Sequence, residues 1–170
     1  MKNIDLFRKD FLGANTWAQR KDGVPIDLLD KLTKQELKIA EAELIHALSL
    51  RDDWPVIGLG HIQSKAALPK LYELLHNSNG PIKVTIAHSI FQICQDAQMI
   101  DIVLSTMPAI SNPYELIDIL YHLPDFNNKR ITELHHSYRN HTDYLVAYNA
   151  TQALGLPIDD VVERFRDKEE

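Results

Sequence analysis

Residues 58–75 read GLGHIQSKAALPKLYELL, which contains the end of one helix, a short break and the start of a second. In the second half, Ala67, Leu68, Leu71, Leu74 and Leu75 recur every three or four residues, so they form one apolar face of a helix. The proline at 69 is tolerated there because the amides of a first helical turn have no intrahelical acceptor. The stretch therefore predicts two consecutive amphipathic helices.

The same rhythm runs through most of the chain, and strand signatures are nearly absent. Thr33 followed three residues later by Glu36 is a capping box that predicts the start of a helix. Asn and Gly before Pro81 predict a break at residues 77–81. The predicted helices span residues 33–50, 53–62, 64–76, 82–95, 99–107, 113–123, 129–139 and 142–154. We therefore expect an all-α fold.

Four of these helices share a recurring apolar position. Leu59, Ile90, Leu120 and Leu154 occupy it, at spacings of 31, 30 and 34 residues. A period of this size accommodates two helices and two turns, the unit of an α-solenoid.

An A-L-G-x-I ending, a turn and then A-L-P-x-L-x-E-L-L resembles the short bacterial HEAT-like repeat. Residues 58–93 and 142–156 carry the resemblance, whereas residues 96–123 match it in rhythm alone. The resemblance implies a single domain of stacked helical hairpins, in which residues 1–50 form an N-terminal helical cap, residues 51–156 three to four repeats and residues 157–170 an acidic tail. The alternative is a set of amphipathic helices in an irregular bundle.

In such a stack the second helix of each pair lines a concave face, where Tyr and Trp would offer large contact areas to a protein partner. When the second helices are aligned on the recurring apolar position, the residues two before and two after it form two rows on this face, and several aromatic residues lie nearby. The rows and these aromatic residues together supply the predicted partner-binding set: Trp54, His61, His88, Gln92, Tyr114, Asp118, Tyr121, His122, Tyr148 and Gln152. The alternative for the tyrosines is that they pack against neighbouring helices.

Composition limits the classes of partner. The chain has 170 residues, is 45% apolar and carries a net charge of −6, which fits a globular protein and disfavours binding to DNA or RNA. HEAT-like DNA glycosylases resemble this architecture, but Lys83 is the only cation on the four second helices. No apolar run approaches the roughly 20 residues of a membrane span. A lone cysteine, Cys94, fits a reducing compartment, and we expect a cytoplasmic protein.

Signals for chemistry are weak. His135, His136 and His141 are the only histidine cluster, and their spacing does not place two ligands on one helical face, so we predict no metal site. Cys94 ends an apolar stripe, where a buried thiol is expected. Nucleophile-elbow, P-loop and dinucleotide motifs are absent. We therefore expect neither an enzyme nor a cofactor.

Size, acidity and repeat pattern together resemble a bacterial immunity protein, which implies a non-enzymatic protein that binds and neutralises a cognate toxin. A negative surface would speed the encounter with a basic, nuclease-type toxin domain. The alternative is a HEAT-like accessory factor or lyase that binds a small molecule such as a tetrapyrrole. A third option is a scaffold subunit of a larger complex.

Overall fold

The computed structural model describes residues 2–166, and these residues form helices and connecting loops without a strand. The all-α class is therefore confirmed. The α-helices are α1 (Asn3–Phe7), α2 (Trp17–Arg20), α3 (Asp27–Asp30), α4 (Lys34–Ala47), α5 (Trp54–His61), α6 (Leu68–Asn77), α7 (Gly80–Cys94), α8 (Gln98–Thr106), α9 (Pro113–Leu120), α10 (Lys129–Tyr138), α11 (Tyr144–Ala153) and α12 (Asp159–Arg166). A π-helical turn (Arg8–Leu12) and three 3-10 turns (Lys65–Ala67, Met107–Ala109, Leu123–Phe126) lie between them.

Local sequence accounts for several of the helix ends. The Thr33 hydroxyl accepts the Glu36 amide at 3.3 Å, and the Glu36 carboxylate accepts the Thr33 amide at 3.0 Å, so the predicted capping box is formed. The side chains of Asn112, Asn128 and Asp143 cap α9, α10 and α11 by accepting backbone amides of the first turn. Ser64 does not act as a cap, because its hydroxyl donates to Glu41 instead.

Three connections contain left-handed residues that are not glycine. Gln63, Gln95 and Asn127 have φ values of 52°, 56° and 42°. Each follows soon after a helical segment and ends the right-handed run. An L-residue in this region is strained, so these turns carry a local conformational cost.

The described chain forms two compact units. The first contains residues up to 78 together with residues 89–96, and the second contains residues 79–88 and everything from residue 97 onward. Helix α7 therefore contributes to both. These units do not follow the predicted boundaries at residues 50 and 156, and the single-domain organisation stays a prediction.

The core of the first unit is built around an aromatic cluster. Phe7 and Phe11 lie with ring centroids 5.3 Å apart, and Trp54 meets Phe11 edge-on at 5.7 Å. Arg20 covers the indole of Trp54 with its guanidinium 4.1 Å from the ring centroid. Gly58 and Gly60 permit close packing, since a Cβ at Gly58 would meet Phe11 and one at Gly60 would meet Ser89. Gly155 is different, since its φ of +68° and open surroundings show a conformational role.

In the second unit, helices pack on their next-but-one neighbours. Helix α9 packs on α11, and α8 packs on α10, while α10 and α12 both contact α11. The recurring apolar positions Leu59, Ile90 and Leu120 are fully buried, but Leu154 is only partly buried because it lies at the end of α11.

The residues predicted to be an acidic tail include an ordered helix. In α12, Val161 is buried and Phe165 packs edge-on against Tyr144 at 5.4 Å. Arg139 pairs with Asp160, and Arg164 donates to the Arg139 carbonyl, so α12 is held to α10. The last residues of the predicted tail, 167–170, lie outside the described residues. Among residues 2–166, no helix combines the length and apolar character needed to cross a bilayer.

Candidate protein-binding surface

Helices α9 and α11 each expose one stripe of side chains in the second unit. Tyr114, Asp118 and Tyr121 are exposed and lie four and three residues apart, which places them on one helical face. Leu145, Asn149 and Gln152 follow the same spacing on α11, where Leu145 and Gln152 are exposed and Asn149 is half-buried. Since α9 packs against α11, we refer to these six residues as the α9–α11 surface.

Tyr121 connects the two stripes. Its hydroxyl lies 2.7 Å from Asn149 Oδ1 and 2.9 Å from Gln152 Oε1. The hydroxyl has one proton and can donate to only one of these two oxygens at a time. The second side-chain amide forms a good hydrogen bond only when it turns its NH2 group toward the hydroxyl oxygen, which then accepts. Burial, and then the nearby Tyr148, raise the pKa of Tyr121, so the hydroxyl stays protonated at neutral pH. The ring of Tyr121 is thereby fixed in place while the residue remains 44% exposed.

A second aromatic group lies at the start of α11. The rings of Tyr144 and Tyr148 are 5.7 Å apart, and Phe165 meets Tyr144 from α12. Tyr148 is half-buried in this group, and its part in partner binding stays a prediction. Tyr144 and Leu145, both exposed, lie at the start of α11 and were absent from the predicted set.

Two of the three histidines predicted for the inner face, His88 and His122, stack on one another instead. His88 is 4% exposed, its Nε2 lies 2.8 Å from Asp125 Oδ2, and its ring stacks on His122 at 4.5 Å. Phe126 covers the same histidine at 5.6 Å. His88 is therefore a buried residue of the second unit, and a direct partner contact there is contradicted by its burial.

The electrostatics of this cluster follow from its geometry. The hydrogen bond from His88 lowers the pKa of Asp125 and keeps that carboxyl ionised. Burial, followed by the charge of His88, lowers the pKa of His122 to about 4. These shifts favour a neutral His122 and an ionised Asp125 at neutral pH.

The predicted contacts in the first unit have mixed surroundings. Trp54 is 4% exposed and belongs to the aromatic core, so it is not available to a partner. His61 is half-buried and pairs with Asp30 at 2.6 Å. Gln92 is also half-buried, beside Gly60, and a role for either polar residue in binding stays a prediction.

Other chemistry-bearing residues do not assemble into a site. Among the described residues, no group of three or more His, Cys, Asp or Glu side chains could hold a metal ion. His135 is buried, and burial lowers its pKa to about 4, with a smaller effect from His136. His141 accepts the amide of Asp143 through Nδ1.

Cys94 differs from its expected burial. The thiol is exposed at the last residue of α7, where it donates to the Ile90 carbonyl at 3.3 Å and lies 3.7 Å from the Tyr72 hydroxyl. That hydroxyl lies 2.7 Å from Asp96. Cys94 therefore remains exposed at the end of the helix, and the expected buried thiol is wrong.

The comparisons add no assignment: no protein-family model, curated protein or solved structure matched the chain.

Proposed function

We propose that this chain is a non-enzymatic, protein-binding repeat protein, with HEAT-like helical pairs, that acts as an immunity protein against a cationic, nuclease-type bacterial toxin. The packing of α8 on α10 and of α9 on α11 supports the repeat, because stacked hairpins bring equivalent helices together. That support applies to the second unit, where both helix pairs lie.

The observation that carries the proposal is the α9–α11 surface. It presents exposed tyrosines next to Asp118, and neither α9 nor α11 contains a lysine or arginine. The described part of the second unit has nine acidic residues against six basic ones, whereas the first is nearly balanced with twelve against eleven. A surface that exposes aromatic rings and a carboxylate, on helices without lysine or arginine, is complementary to a basic protein.

The tetrapyrrole alternative gains no comparable support. A tetrapyrrole site would need a groove with convergent polar side chains, but His88 is buried and pairs with Asp125, and the Tyr121 hydroxyl is engaged by Asn149 and Gln152 of α11.

Co-expression with the product of the adjacent open reading frame tests the proposal. We expect the chain to restore growth of cells that express a toxic, basic product, and to form a complex with it that weakens as salt is raised. A product that is not toxic, or toxicity that the chain does not relieve, would contradict the proposal.

A further inference from the structure

We infer that the α9–α11 surface is a binding site for arginine side chains of a protein partner, with Asp118 as the anion and Tyr114 and Tyr121 as stacking faces. The inference deepens the proposed function, on which it rests for the identity of the partner as a cationic toxin. It specifies which basic side chain the surface prefers and which residues recognise it.

The spacing along α9 places a carboxylate between two aromatic rings. Tyr114 and Tyr121 are seven residues apart, about 10 Å along the axis, and Asp118 lies between them on the same face. Tyr114 is 72% exposed and Tyr121 is 44% exposed. A guanidinium that pairs with Asp118 therefore has an aromatic ring available on either side along the helix.

The chemistry of guanidinium matches this arrangement better than that of an ammonium. Arginine pairs with a carboxylate through two parallel N–H bonds and stacks its planar group on an aromatic ring. Lysine is a compact, strongly hydrated charge and does neither. A carboxylate has about four acceptor positions, so Asp118 can receive a guanidinium while keeping its existing contacts.

Helix α11 adds acceptors and rigidity. The side-chain oxygens of Asn149 and Gln152 lie at the Tyr121 hydroxyl, within the same surface. The hydrogen bond that holds Tyr121 fixes the orientation of its ring before a partner arrives, which reduces the entropy lost on binding. Glu115, exposed one turn from Asp118, adds further negative charge.

The basic side chains of the second unit that have a described partner pair elsewhere. Arg130 pairs with Asp101, Arg139 with Asp160 and Lys129 with Glu133, and Arg164 donates to Asn140. These four engage groups outside the α9–α11 surface. The described second unit has nine acidic residues against six basic ones, so a basic side chain from another protein is the occupant that fits the charge of this surface.

The test uses two labelled peptides of equal length, in which alanine alternates with arginine or with lysine, and measures their binding to the full chain by fluorescence anisotropy at low salt. We expect the arginine peptide to bind about threefold to tenfold more tightly, in line with the advantage of stacked and bidentate guanidinium groups. We expect Asp118→Asn and Tyr114→Ala each to weaken arginine-peptide binding by a similar factor.

Matched controls lie in the first unit, where Asp22 is an exposed carboxylate and Trp17 is an aromatic that is 80% exposed. Asp22→Asn and Trp17→Ala should change arginine-peptide binding by less than about twofold. Tyr121→Phe keeps the ring and loses the hydrogen bond, so it should weaken binding less than Tyr121→Ala. Helical circular dichroism confirms that each variant is folded before it is compared.

The outcomes separate this inference from the proposed function. Equal affinity for the two peptides, or an Asp118→Asn variant as tight as the parent, overturns the arginine site even if the chain neutralises a toxin. Selective binding of the arginine peptide that depends on Asp118 supports the arginine site even if no toxin is neutralised. In that case the proposed function is contradicted and the arginine site is not.

Discussion

Gly60 is the position where the addition of one methyl group should be most informative. A Cβ at residue 60 would lie 2.8 Å from Ser89 Oγ, 2.9 Å from Ser89 Cβ and 2.5 Å from Gln92 Oε1. The glutamine oxygen is at the end of a flexible side chain and can move, but Ser89 Cβ is fixed to the backbone of α7. Carbon atoms normally approach to about 3.5–4.0 Å, so α5 and α7 must separate locally by several tenths of an ångström or more.

Two opposing effects determine the expected size of the change caused by Gly60→Ala. Alanine favours a helix interior over glycine by about 1 kcal/mol, whereas overpacking a close contact costs about 1–3 kcal/mol. Because Ser89 Cβ cannot swing away, the cost of overpacking should lie in the upper part of that range, about 2–3 kcal/mol, so we expect a net loss of about 1–2 kcal/mol in the free energy of unfolding. At about 2–4 °C per kcal/mol for a chain of this size, the melting temperature should fall by roughly 2–8 °C.

Urea unfolding followed by circular dichroism measures this loss, and Ser89→Gly provides the partner for a double-mutant cycle. Removing Ser89 Cβ should recover at least about 0.5 kcal/mol of the cost of Gly60→Ala. Gly155→Ala is the control, because its cost comes from a φ of +68° and should not couple to Ser89. An unchanged or more stable Gly60→Ala variant, or the absence of coupling, would refute the argument that α5 and α7 are in close contact there.

Three further predictions concern His122, Cys94 and Thr33. His122 has a pKa of about 4 in the folded state and an ordinary value near 6.5, so the unfolded state binds its proton first as pH falls, and stability is lost between about pH 6.5 and pH 4. His122→Asn should therefore remove about 2 kcal/mol of the difference in stability between pH 7 and pH 4.5. An equal difference in parent and variant would contradict this. Cys94 is exposed, so Ellman's reagent should label the native protein in the absence of denaturant; labelling only after unfolding would refute the exposure. Thr33→Ala removes a cap from α4 and should lower the free energy of unfolding by about 1 kcal/mol, measured as a lower urea midpoint. Thr142 is exposed, and Thr142→Ala should be close to neutral. Equal effects of the two substitutions would contradict the capping role.

Much of the secondary structure was predictable because its determinants are local. Periodic leucines and isoleucines, the pair Thr33 and Glu36, and Gly80 before Pro81 place helix ends within a few residues of those observed. The exposed stripe of Tyr114, Asp118 and Tyr121 was also predictable, since spacings of four and three residues are enough to place side chains on one face.

The failures concern partners that are distant in sequence. His88 was predicted to lie on a surface, but Asp125, 37 residues away, supplies the acceptor that allows it to be buried. The burial of Trp54 depends on Phe11 and on Arg20, both far upstream in the chain. The spacing of residues within a single helix does not indicate such long-range contacts. The hydrogen bond between Tyr121 and Asn149 was not predicted for the same reason.

The left-handed turns at Gln63, Gln95 and Asn127 offer a simple way to make the protein more robust for experiments. Glycine removes the clash of the β-carbon, but it also increases the freedom of the denatured chain, so the net gain is smaller than the strain that is relieved. At Gln95 the strain is partly offset, since the side-chain Nε2 donates to the Phe91 carbonyl at 2.9 Å, a hydrogen bond that glycine would lose. Gln63, in the connection that follows α5 in the first unit, is therefore a better candidate than Gln95 for engineering a more heat-tolerant version of the chain.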